Sequence, residues 1–153
     1  MTLVPYFLTV NLTVSCVFIL TFAFVAMQER NYAAPRWFTL AAIAAALVSL
    51  FGYWIPAAIN TRLLVVISFA LSMIAFLAVI IGLQSIYRQK IDWKLIGAFF
   101  VAALLCNLLI LELPRTSFLH RFLYQLPLCL AQLIIIRVIY RFGMPRLVDK
   151  LIM

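Results

Sequence analysis

Five runs of roughly 15 to 24 consecutive residues contain no Asp, Glu, Lys or Arg, and only short charged connections separate them. They extend from Tyr6 to Met27, Trp37 to Ile59, Leu63 to Ile86, Leu95 to Leu111 and Phe122 to Ile136. Crossing a hydrocarbon core of about 30 Å takes roughly 20 helical residues at about 1.5 Å each. Only a helix or a closed barrel satisfies its own backbone polar groups in lipid, and long unbroken apolar runs read as helices. A soluble alternative fails on composition: 68% of the 153 residues are hydrophobic and 10% charged, against about half and a quarter in soluble domains. The chain therefore reads as an all-α integral membrane protein, a bundle of five transmembrane helices. The fourth run extends through Glu112 to Leu113. The fifth extends through Arg137 to Tyr140, because an arginine near a span end reaches the headgroups along its aliphatic stem. The expected spans are about residues 6–27, 37–59, 63–86, 95–113 and 118–140.

The first run is not a secretory signal, since no basic residue precedes it and it exceeds an h-region of about 7 to 15 residues. Without a Gly/Ser-rich linker or a polar half, residues 1–141 read as one membrane domain and 142–153 as a short interfacial or linker tail. Basic residues near span ends stay on the cytoplasmic side. With the N-terminus outside and the C-terminus inside, Arg30, Arg36, Arg88, Lys90, Lys94, Arg137, Arg141, Arg146 and Lys150 are cytoplasmic, and Arg62, Arg115 and Arg121 are not. The formal charge of +8 is then a topology signal with attraction to anionic lipid, and it requires no nucleic acid.

The segment "LELPRTSFLHRF", residues 111–122, gathers Glu112, the only histidine, His120, two arginines, a serine and a threonine. On this topology it is the outer connection between the fourth and fifth spans. Pro114 ends a helix, Arg115 neutralises Glu112, and Thr116 or Ser117 is placed to cap the fifth helix. Catalysis has little else to use. The four carboxylates are Glu29, Asp92, Glu112 and Asp149, three inside and one outside, so none can pair. One histidine and three cysteines, Cys16, Cys106 and Cys129 on separate spans, make no metal set and no CxxC. Cys106 and Cys129 meet only if the fourth and fifth spans pack at that level. No catalytic residue, metal or cofactor is expected.

Polar residues inside spans are costly and so mark either helix contacts or sites. Arg121, Gln125, Cys129 and Gln132, spaced 4, 4 and 3, form one stripe on the fifth helix, and Asn107 adds an amide on the fourth. Two readings stay open. The amides bond neighbouring helices, or Asn107, Glu112, His120, Arg121, Gln125 and Gln132 form an outward-facing pocket responsive to anions or pH. Histidine is the residue type whose charge changes between about pH 5 and 8. In the second span, Ala42, Ala46 and Ser49, flanked by Ala41 and Ala45, suit close helix approach within the bundle or between protomers. The triplet Asn11-Leu12-Thr13 matches a glycosylation sequon but falls inside the first span and is discarded.

The order of features resembles the N-terminal multi-span membrane region of bacterial GGDEF diguanylate cyclases. The likeness runs over roughly residues 11 to 141: a second span led by Trp37 and closing on Gly52, Tyr53, Trp54 and Pro56; a third closing on Gly82 and Leu83 with the basic turn Arg88 and Lys90; and a restart at Trp93 and Lys94. It is carried by spaced apolar and turn residues. The Gly-Gly-acidic-Glu-Phe loop of the cyclase domain is not in this sequence, so the resemblance implies a sensory or regulatory input module of the bacterial inner membrane, relaying an outer or lipid-borne signal through the fifth span. The alternative is a small transporter or a membrane subunit of one. Candidate partners are membrane lipids, a second copy of the chain, and a cytoplasmic signalling domain or protein.

Overall fold

The computed structural model describes residues 3–29, 33–54, 61–111 and 117–142, and the regular elements among them are helices. They are α1 (Leu3–Gln28), α2 (Ala34–Trp54), α3 (Thr61–Ile86), α4 (Trp93–Ile110) and α5 (Phe118–Phe142). All five are long and apolar enough to cross a membrane, the architecture of a multi-pass membrane protein.

The helices coincide with the five uncharged runs, and the boundary differences have local causes. α4 starts at Trp93 rather than near 95 because Asp92 is its N-cap: the carboxylate accepts from the backbone N–H groups of Lys94 and Leu95, each at 3.1 Å. An acidic cap satisfies two orphan donors and complements the positive end of the helix dipole. α2 starts at Ala34 rather than 37, since Pro35 in a first turn has no N–H to lose. α3 ends in a Schellman arrangement, with Arg88 N–H donating to Ser85 O (3.2 Å) and Gln89 N–H to Gln84 O (2.9 Å). Arg88 takes the left-handed position, φ 54°, that glycine usually fills. The expected ends of the second and fourth spans, at 59 and 113, and the tail beyond residue 142 lie outside the described residues.

Neighbouring helices run antiparallel. The Thr9 and Tyr53 hydroxyls meet, Asn11 Nδ2 donates to Ser49 Oγ at 2.6 Å, and the Phe22 and Phe38 rings lie 5.3 Å apart, joining the start of α1 to the end of α2 and the reverse. α3 is the hub: it touches α2, α4 and α5, while α1 touches α2 alone. α5 runs parallel to α3, with Tyr124 5.3 Å from the Phe69 ring near one end and Ile134 beside Gln84 near the other. One end of the bundle thus carries His120, and the opposite end carries Arg36, Arg88, Lys90, Lys94 and Arg141.

Two different kinds of contact hold α3. Towards α2, which packs against both α1 and α3, the buried residues are small: Ala41, Ala42, Ala44, Ala46 and Ser49, which assigns the alanine stripe to contacts inside the bundle. Gly82 lets the Phe38 ring lie against α3, where a Cβ would come within 3.0 Å of it. Towards α4 and α5 the contact is made by large residues. Phe69, Met73 and Ala103 form a buried cluster surrounded by Phe99, Phe100, Leu104, Tyr124 and Leu128. Phe69 and Met73, Phe99 and Ala103, and Tyr124 and Leu128 are each four apart, the spacing that stacks side chains on one helix face.

Candidate functional site

The corner between α4 and α5 is built by two side chains of one short segment. Ser117 Oγ accepts from the backbone N–H of His120 at 3.1 Å, so of the two expected caps it is Ser117 that starts α5; Thr116 lies outside the described residues. The His120 ring turns back to α4, placing Nδ1 3.2 Å from the carbonyl oxygen of Ile110. That carbonyl belongs to the last turn of α4, where no intrahelical donor remains. With Nδ1 protonated the ring donates to it. His120 therefore ties the end of one helix to the start of the next.

Asn107 lies one turn before Ile110 on the inward face of α4 and is 2% exposed. Its Oδ1 has no hydrogen-bond partner, and neither has the buried Oγ of Ser68 on α3. Arg121, Gln125, Cys129 and Gln132 stand instead on the exposed face of α5. Asn107 is buried and the stripe exposed, so these described members of the expected pocket do not share one surface. The physical reason is the helical period: Tyr124, Pro127, Leu128, Ala131 and Val138 take the bundle-facing side of α5, and Gln125, Cys129 and Gln132, each one residue on from one of these, are turned away by about 100°. Glu112 lies outside the described residues. The five described candidates thus separate into a corner contact (His120), a buried amide (Asn107) and an outward stripe (Arg121, Gln125 and Gln132).

Other features escaped the sequence reading. Asn11 bonds Ser49 across α1 and α2, a role that a polar residue in mid-span announces by itself. Pro127 lies inside α5 and leaves the Leu123 carbonyl without its helical donor; the proline alone was the signal. The alanine face of α2 floors an apolar groove of about 460 Å³ between α1 and α3, walled by Phe18, Phe22 and Phe76. Cys106 and Cys129 are both free thiols. Among the described residues no three His, Cys, Asp or Glu side chains gather as a metal set would.

Comparison with protein-family models, curated proteins and solved structures finds no match for the chain. Its function is accordingly argued from the chemistry of these three groups of residues.

Proposed function

We propose that the chain is a membrane-embedded sensory or regulatory module of the bacterial inner membrane, with its His120 end outside and its basic end in the cytoplasm. In this reading α5 relays a change at the outer corner to the cytoplasmic side. The observation that carries it is the seat of the only histidine: a titratable ring bonded to the last turn of α4 while its own backbone is capped at the start of α5. The imidazolium form donates from both nitrogens, so in that form the bond to Ile110 O no longer depends on the tautomer. The resemblance to the membrane regions of diguanylate cyclases supports the same role, with a cytoplasmic domain or partner as the signal's recipient. The transporter alternative has less support. Among the described residues the buried polar side chains are Ser15, Ser49, Ser68 and Asn107, one on each of four helices, too few to line a hydrated path.

The relay is tested with spin labels at Leu105 on α4 and Leu133 on α5, both exposed, in labelled chain diluted into an excess of unlabelled chain in bilayers. Lowering the external pH from about 7.5 to about 5.5 is expected to move the pair by about 1 to 2 Å, and His120→Gln is expected to abolish the shift. An unchanged distance in the parent chain, or the same shift in the variant, refutes the relay.

The orientation has its own test. Alkaline phosphatase fused after Met153 should be inactive, and the same enzyme inserted between Pro114 and Leu119 should be active, because that reporter folds only outside the cytoplasm. The opposite pair of activities would invert the module and remove the outer corner from contact with the outside.

A further inference from the structure

The outward face of α5 differs chemically from the other exposed helix faces. On α1, Thr13 and Thr21 return their hydroxyls to the carbonyls of Thr9 and Val17, at 2.9 and 2.8 Å, and Asn11 bonds Ser49. Those polar groups are satisfied within the chain. Gln125 and Gln132 have no such local route. Each presents a carboxamide, two donors and an acceptor, on an exposed face at mid-helix. Hydrocarbon offers nothing to bond it, and the unmet groups are costly there.

The positions around them are regular. Phe122, Gln125, Cys129, Gln132, Ile136 and Ile139 are all exposed and are spaced 3, 4, 3, 4 and 3, a mean period of about 3.5 that matches the seam of a left-handed helix pair. The bundle-facing residues Tyr124, Ala131 and Val138 each precede a seam residue by one position, about 100° round the helix, so the seam is set off from the buried side and its members are exposed. We infer that α5 is a homodimer helix, pairing in parallel with α5 of a second copy along this seam. The occupant follows from the chemistry. Copies inserted in the same direction are related by a twofold axis along the membrane normal, which brings each seam position against its own counterpart. A carboxamide is self-complementary in that arrangement: each Gln125 donates to and accepts from the other, and Gln132 repeats this two turns on. Cys129, between them, meets its own copy near the axis, within the roughly 4.4 to 6.8 Å Cα separation that a disulfide spans. Pro127 lies on the bundle side and leaves the seam clear. The dimer does not depend on any signal being carried.

The test uses the full chain reconstituted alone in bilayers, with Cys129 as the sole cysteine, and copper-phenanthroline oxidation. A disulfide dimer is expected at Cys129, whereas a chain retaining only Cys16, exposed on α1, should crosslink at least about tenfold less. Single cysteines moved along α5 should crosslink strongly at Phe122, Gln125, Gln132, Ile136 and Ile139 and weakly at Tyr124, Ala131 and Val138. The double variant Q125L/Q132L should weaken dimerisation about tenfold, from two lost amide pairs at the usual strength of such bonds in membranes. Leucine suits a lipid-facing helix, so that variant keeps its fold; unchanged crosslinking between α4 and α5 within the chain checks this. Crosslinking at Cys129 no greater than at Cys16, a scan without the period of about 3.5, or a leucine variant that dimerises as the parent does overturns the inference.

Discussion

Met73→Ala is expected to lower the unfolding free energy of the detergent-solubilised protein by about 2 kcal/mol. Met73 is 0% exposed and sits with Phe69 and Ala103 where α3, α4 and α5 meet. In a water-soluble core the loss would combine transfer and cavity terms, for about 2 to 5 kcal/mol. Here the helices remain in an apolar medium when they separate, so the transfer term largely drops out and the cavity term dominates. Removing roughly 70 Å³ of side chain at about 24 cal/mol per Å³ gives the stated figure. Titration with a denaturing detergent, followed by loss of a distance signal between α3 and α5, measures it. A change under about 0.5 kcal/mol would mean that the cluster does not hold α3 to its partners.

Asn107→Leu should act in the opposite direction, raising stability by about 1 to 3 kcal/mol. The side chain is buried with its Oδ1 unbonded, and such an orphan costs about that amount. Leucine keeps the branching at Cγ with two methyls in place of the amide groups, and it has nothing to satisfy. The same titration reads the gain. If the variant is instead destabilised, Asn107 has a bonding partner in the membrane, and the buried amide becomes a structural tie of the bundle. The two substitutions lie on helices that touch, α3 and α4, so the double variant also reports whether their effects add.

How much was legible beforehand depends on which physical signal each element carries. The five helices could be read because an unbroken apolar run needs no knowledge of its neighbours. The fine boundaries depend on single side chains: the start of α4 is set by the Asp92 carboxylate, and that of α2 by Pro35 in the first turn. The stripe on α5 was visible as a spacing, but which way it faces was not. A helix apolar on every side has no amphipathic asymmetry to declare its buried face, and only Tyr124, Leu128 and Ala131 against α3 and α4 reveal it. For the same reason Asn107 and Gln125, both amides in neighbouring helices, look alike in sequence and end in opposite environments. The alanine stripe on α2 posed a choice between contacts inside the chain and contacts between chains, which burial of Ala42, Ala46 and Ser49 resolves.

The hub position of α3 also bears on how the protein is made. α2 packs on α1, α3 on α2, and α4 and α5 on α3, so every helix leaving the translocon finds a docking surface that is already in the bilayer. No contact between α1 and α4 or α5 has to await the end of synthesis. Biogenesis can then proceed in step with the ribosome, each newly inserted segment being retained by the one before it, and a pause in translation after α3 would leave a three-helix intermediate whose internal contacts are already complete.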